Sequence, residues 1–278
     1  MQETTVTRIA HVSDVHMLAS RPSRSRAGYS MGVRFVSIGR PLDAQARARK
    51  FQLSLAAAKR SHADHIVVSG DLTEIGSPAE FEALAETLHD ARIDPERITL
   101  VPGNHDAYTS MEAWKWALAG PLAAYASSAA TVPGKVVDRG SVAFLPLDVT
   151  RSQPLTRSAG ELTASAAEAV ERRANDAAFR QRPLVVVAHH PPFAHAVGAW
   201  QWIDGLAGGA RLMSLLASFT NLYALHGHLH YVVDKIVQLG RAHAFGAPAI
   251  VDDKEDRPRV RLYDVRDGGL EAAGIVGA

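Results

Sequence analysis

The apolar positions fall in short runs, and each run ends in a polar cluster. Val6–Val12 is β-branched and predicts a first strand, which ends in Ser13-Asp14-Val15-His16. His65–Ser69 and Ile98–Val101 predict two more strands, ending in Gly70-Asp71 and Pro102-Gly103-Asn104-His105-Asp106. Pro183–Ala188 contains Val185-Val186-Val187, a buried strand, and stops at His189-His190-Pro191-Pro192. A proline pair fits neither a helix nor a central strand, so the chain turns there with both imidazoles at the rim. Phe219–Leu225 predicts a strand running into His226-Gly227-His228-Leu229-His230.

Helical periodicity fills the intervals. Asp43–Ser61 places Phe51, Leu55 and Ala58 on one face, with Asp43 as its N-cap. Further helices are predicted over Pro78–Asp90, Met111–Leu118, Glu161–Phe179 and Arg211–Ser218. Ser158–Glu161 has the form of a capping box for the fourth of these five. Residues 120–134 read as a loop. Val136–Asp138 and Val142–Val149 predict a hairpin about Arg139-Gly140-Ser141. Val232–Val237, Ala242–Phe245 and Arg259–Val265 predict closing antiparallel strands. The alternation of strands and helices indicates an α/β fold.

Residues 17–42 break the rhythm. Arg21, Arg24, Arg26, Arg34 and Arg40 fall here, with no acidic residue before Asp43, and Met31–Ile38 adds an apolar patch. Two readings stand: a solvated loop, or a basic lid over an anionic substrate.

Bulk composition narrows the chemistry. The chain has 278 residues, enough for one large α/β domain over 1–278, and no linker is visible. A formal charge of +1 makes no strong case for nucleic acid or membrane as a partner. The absence of cysteine excludes disulfides, thiolate ligands and a cysteine nucleophile, so a metal would need N and O donors. Met1–Arg8 has no apolar core of signal-peptide length, and no run of about 18 apolar residues exists to span a bilayer. A cytoplasmic protein is expected, and a homodimer stays open.

The polar clusters at the strand ends carry the chemistry, because ligands of open α/β sheets bind at that edge. They collect Asp14, His16, Asp71, Asn104, His105, His189, His228 and His230. Residues two apart in an extended chain point the same way, so Asp14 and His16, and likewise His228 and His230, are expected to reach toward one point. Gly227 is read as the residue that lets the chain turn tightly at the strand end. Two carboxylates, an amide oxygen and several imidazoles suit two divalent or trivalent transition-metal ions such as Mn, Fe or Zn. One carboxylate can use its two oxygens to bridge ions about 3.5–4 Å apart. A neutral Asn ligand leaves the positive charge that a phosphate substrate needs.

In order, Asp14-Val15-His16, Gly70-Asp71, Gly103-Asn104-His105-Asp106, His189 and Gly227-His228-Leu229-His230 resemble the signature of the calcineurin-like metallophosphoesterases. The resemblance implies a four-layer αββα sandwich with two mixed β-sheets. It implies one ion on Asp14, His16, Asp71 and His230 and the other on Asp71, Asn104, His189 and His228, with Asp71 as the bridge. His105 and Asp106 would be catalytic: a hydroxide between the ions attacks phosphorus, and His105, oriented by Asp106, protonates the leaving oxygen. His190, His11 and His226 are read as supporting or packed residues.

The His-Pro-Pro block and the compact length look like the bacterial class that contains cyclic-nucleotide and glycerophosphodiester phosphodiesterases. Ala107-Tyr108 stands where protein phosphatases generally carry an Arg. A small phosphodiester or nucleotide-like substrate is therefore expected, with Arg21, Arg24, Arg26 and His195 as candidate substrate contacts. The Arg-rich insertion keeps a nucleotide-lipid pyrophosphate hydrolase open, as well as a phosphomonoesterase on the same site. A nuclease is disfavoured by the charge. A scaffold without catalysis is disfavoured by the complete set of candidate ligands.

Overall fold

In the computed structural model, residues 7–19, 26–37, 39–238, 240–254 and 257–277 are described, the side chains of residues 26–30 excepted. The first half of the chain runs β1 (Thr7–Val12), α1 (Arg26–Val36), α2 (Ala44–Arg60), β2 (His65–Ser69), α3 (Pro78–Asp90), β3 (Ile98–Val101), α4 (Ala113–Ala119), β4 (Val137–Asp138) and β5 (Ala143–Pro146). The second half runs β6 (Gly160–Glu161), α5 (Ala164–Asn175), β7 (Leu184–Val187), α6 (Gly198–Asp204), β8 (Leu206–Ala207), α7 (Gly209–Ser218) and β9 (Leu222–His226). It closes with β10 (Val233–Gln238), β11 (Arg241–Gly246), β12 (Val260–Arg266) and β13 (Gly269–Val276).

Two mixed sheets result, of order β13-β12-β1-β2-β3 and β10-β11-β9-β7-β5-β4. Strands β1, β2 and β3 are mutually parallel, as are β5, β7, β9 and β11. The buried apolar side chains form three layers of core. Ile9, Val67 and Val101 meet Phe144, Val185, Val187 and Leu225 between the sheets. Phe51, Leu55, Leu84 and Leu88 cover the outer face of the first sheet, and Val170, Leu212 and Leu216 cover that of the second. The order helix, sheet, sheet, helix is the four-layer αββα sandwich.

Local chemistry explains the helix starts. Asp43 accepts from the Gln45 and Ala46 amides at 3.0 Å each, which fixes the start of α2. The Glu80 carboxylate accepts from the Ser77 amide at 3.1 Å ahead of α3.

Four expectations are corrected. Helix α5 starts after Thr163, whose hydroxyl accepts from the Ala166 amide at 3.2 Å. Gly160–Glu161 instead pairs with Leu206–Ala207, so Ser158–Glu161 is not a capping box. Residues 17–42 are not a plain loop, because α1 occupies eleven of them. β13 closes the first sheet where no strand was predicted. Its pattern is hard to read because five consecutive positions from Glu271 to Ile275 are exposed and the Cβ-less Gly274 sits among them.

Candidate metal centre

The carboxyl ends of β1, β2, β3, β7 and β9 converge on one edge. Main-chain bonds tie the loops together: Asp14 N donates to Gly70 O at 3.1 Å, His16 N to Asp71 O at 2.8 Å, and Gly227 N to His189 O at 3.0 Å. The backbone there is not extended. Asp14, His16, Asp71, His228 and His230 all have φ between 46° and 67°, the left-handed region. The extended-chain argument for paired side chains is therefore wrong, although the residues do come together. His228 and His230 do not aim at one point either.

Two clusters form instead. Asp14, His16 and His230 offer donor atoms within 4.8 Å of one another, and so do Asp71, His189 and His228. Asp71 also clusters with His16 and His105. Its Oδ1 accepts from the His105 amide at 2.9 Å. Its Oδ2 lies 3.2 Å from His189 Nε2, 3.7 Å from His16 Nε2 and 3.9 Å from His105 Nε2. A single oxygen thus faces both clusters. Asp14 is arranged alike: Oδ2 accepts from His228 N at 3.2 Å, while Oδ1 lies 3.4 Å from His230 Nε2.

Close approach explains two glycines. A Cβ on Gly227 would stand 1.7 Å from Ser13 Oγ, and one on Gly103 would stand 2.2 Å from Asp71 Oδ1. Gly227 is needed for contact with the Ser13 loop, not for a left-handed turn, since its φ is not positive.

Three of the four candidate histidine ligands are hydrogen-bonded through the other ring nitrogen. His189 Nδ1 meets the Ser69 carbonyl at 2.9 Å, and His228 Nε2 meets Asp204 Oδ1 at 2.9 Å. His230 Nδ1 meets Asp252 Oδ2 at 2.5 Å, and His16 Nδ1 faces Glu74 Oε2 at 3.4 Å. Such outer partners fix the ring and leave one nitrogen for a metal. Asn104 is turned by its amide nitrogen, which donates to Tyr108 Oη at 2.9 Å.

The donor set fits a metal centre. Asp14 Oδ1, His16 Nε2 and Asn104 Oδ1 are buried acceptors without a hydrogen-bond partner among the described residues. Buried polar atoms are seldom left so, and each can donate a lone pair to a cation.

Burial opposes charge on His230 and His189, but Asp14 and Asp252 raise the first to about 10, and Asp71 and Asp14 raise the second to about 9. Burial and the neighbouring His105 lower His16 to about 4. Burial also opposes charge on Asp14 and Asp71, yet the imidazoles around them hold both carboxyls below the usual range.

Two expected site residues lie elsewhere in role. Asp106 does not orient His105. Its carboxylate accepts from the Leu72, Thr73 and Gly103 amides and from Thr73 Oγ1, at 2.6–3.0 Å, and so braces the loops after β2 and β3. The Glu74 carbonyl orients His105 instead, by accepting from Nδ1 at 2.7 Å. Burial and the nearby Asp71 raise the Asp106 carboxyl to about 7. His195 does not line the cavity over the centre; its ring stands 3.6 Å from Asp204 Oδ2. Arg21, Arg24 and the side chain of Arg26 lie outside the described residues.

Glu74, Asp252, Ser69 and Ser158 were not foreseen. Glu74 is fully buried and pairs with Arg47, and its Oε1 accepts from Ser37 Oγ at 2.7 Å. Its place three residues after Asp71 was the only signal, and nothing marked Asp252. His190 packs its ring 4.2 Å from that of His228 and bonds the Ser158 carbonyl at 2.6 Å.

A two-sheet sandwich with such a nitrogen–oxygen cluster at its strand ends is the layout of a metal-dependent hydrolase. The sequence profile described as calcineurin-like phosphoesterase matches residues 7–232, and the chain belongs to that family of metal-dependent phosphoester hydrolases. A 3',5'-cyclic-nucleotide phosphodiesterase of Nostoc sp. is 23% identical over 250 residues, covering 90% of this chain and 80% of that protein. A glycerophosphodiester phosphodiesterase of Enterobacter lignolyticus is 29% identical over 174 residues, 62% of this chain and 57% of that protein. Among solved structures, a dimetal phosphatase from Danio rerio superposes with a TM-score of 0.62 at 11% identity, covering 97% of this chain and 96% of that one. A purple acid phosphatase from yellow lupin gives 0.52 at 12% identity, covering 97% and 52%. These two similarities bear on the fold. No helix among the described residues is long and apolar enough to cross a membrane.

Proposed function

We propose that the chain is a phosphodiesterase with two transition-metal ions, Mn, Fe or Zn. Asp14, His16, Asp71 and His230 would hold one, and Asp71, Asn104, His189 and His228 the other. The observation that carries this reading is the single Asp71 oxygen facing both histidine clusters. When bound, the ions supply Lewis acidity and an activated water. The chain's own residues do the rest. Asn104, being neutral, leaves the centre net positive toward a phosphate. His105 is held through Nδ1 by the Glu74 carbonyl, so its Nε2 is directed toward Asp71 and can give a proton to the leaving oxygen. Glu74, Asp204 and Asp252 keep three imidazoles in register. The matches to two phosphodiesterases support a diester over a monoester.

The test is hydrolysis of bis(p-nitrophenyl) phosphate and of p-nitrophenyl phosphate by protein reconstituted with each metal in turn. A higher kcat/KM for the diester is expected. Preference for the monoester with every metal would overturn the diesterase reading.

A further inference from the structure

The cavity over the centre, about 320 Å³, is lined by Asp71, Asn104, His105, His228 and His230, and also by Arg40. Arg40 is the only lysine or arginine in that lining among the described residues. It is held in place: Nε donates to the Ser37 carbonyl at 3.0 Å and Nη2 to the Val36 carbonyl at 3.3 Å, the carbonyls at the end of α1. A cation is favoured at a helix C-terminus. No carboxylate lies within 4 Å of its guanidinium among the described residues, so its charge is not neutralised by a contact. Asp252, on the same lining, is committed to His230. Arg47, by contrast, is consumed by Glu74 and by the carbonyls of His16 and Pro41.

Asp204, also on that lining, is bonded to His228 and to the Ser158 hydroxyl. Arg40 stands outside the ring of candidate ligands, since neither Asp14 nor Asp71 is within 4 Å of it. A substrate with only one anionic phosphoryl group would leave that guanidinium without a partner.

We infer that Arg40 anchors a second anionic group of the substrate, next to the scissile phosphoryl group, which makes diphosphate-linked esters the class this site takes. The inference rests on the phosphoesterase reading above and names its substrate more closely. The guanidinium presents a flat fork of donors that matches two phosphate oxygens at once. The segment before α2 thereby contributes the basic contact that the Arg-rich stretch suggested, through Arg40.

The test is calorimetric titration of manganese-loaded protein with orthophosphate and with methylenediphosphonate, whose P–C–P link is not hydrolysed. Metal content is checked after each run, so that chelation is not mistaken for binding. Wild-type protein should bind the diphosphonate more tightly. Arg40→Gln should weaken the diphosphonate by roughly tenfold to a hundredfold, the worth of a charged hydrogen-bonded contact, and orthophosphate by less than about twofold. Arg40→Lys, which keeps the charge but not the fork, should fall between. Equal losses on both ligands would mean that Arg40 grips the same phosphoryl group as the ions, and the inference fails. No loss, or no diphosphonate binding by the wild type, also overturns it. Because this readout is binding, a wild-type protein that hydrolyses no phosphoester would sink the functional reading while still deciding the role of Arg40.

Discussion

His189 and His65 are both buried, at 0% and 1% exposure, yet they titrate in opposite directions. His189, at the end of β7, is held at about 9 by Asp71 and Asp14 in spite of its burial. His65, inside the first sheet, is pushed down to about 3 by burial, with Arg139 and Arg97 close by. Its ring stacks on Phe144 at 4.6 Å, and Nε2 bonds Thr99 Oγ1 at 2.8 Å. Burial is the same for both, so the neighbours decide. The strand-end rim sets imidazoles against carboxylates, as a centre for cations requires. The sheet interior offers them a hydroxyl and an aromatic face and keeps them neutral.

The largest break in this contrast is Asp71→Ala. It removes the carboxylate that faces both clusters, and metal content should fall from about two ions per chain to none. Elemental analysis after reconstitution decides it, and retention of one ion would show that Asp71 is not shared. His105→Ala should retain both ions but lose about 10²–10⁴-fold in kcat on an alkyl diester, the usual worth of a general acid. The loss should shrink on a p-nitrophenyl ester, whose leaving group needs no proton. Equal losses on both esters would leave His105 with an orienting role only.

Asp252→Asn probes the rim more gently. It takes one of two carboxylates from His230 while His189, held by a main-chain carbonyl, is untouched. One ion should then bind about 10–100-fold more weakly and the other unchanged, in a metal titration. Uniform weakening of both ions would mean that Asp252 acts on the whole rim. The smallest effect concerns the interior. Because the folded His65 pKa lies below the ordinary 6.5, the unfolded chain takes the proton first. Its contribution is therefore present above about 6.5 and lost as pH falls from there toward 3. Between pH 7 and pH 5 wild-type protein should lose about 2 kcal/mol more than His65→Gln in urea unfolding. A variant with the same pH dependence would show that His65 is not kept neutral.

Much of the architecture was legible because apolar periodicity reports burial, and the strand ends of β1, β2, β3, β7 and β9 are where apolar runs stop. The order of the motifs carried the candidate ligands for the same reason. What escaped depends on contacts far apart in the chain. Asp252 meets His230 across 22 residues, and Glu74 meets Ser37 across 37, with no local pattern to announce either. Asp106 misled because adjacency to His105 in sequence is not contact between side chains. The 161–179 helix was begun too early because Gly160–Glu161 found a partner strand 46 residues on.

The left-handed backbone at the rim has a consequence for how this protein tolerates change. Eight non-glycine residues have positive φ among the described residues, and five of them are the candidate ligands Asp14, His16, Asp71, His228 and His230. Each such conformation costs on the order of 1 kcal/mol or more, which the rest of the fold must absorb. Glycine would adopt it without strain. Selection for heat resistance alone would therefore erode the centre first at these five positions, where function and thermal robustness pull apart. A screen that scores only melting temperature should enrich for inactive chains carrying glycine there.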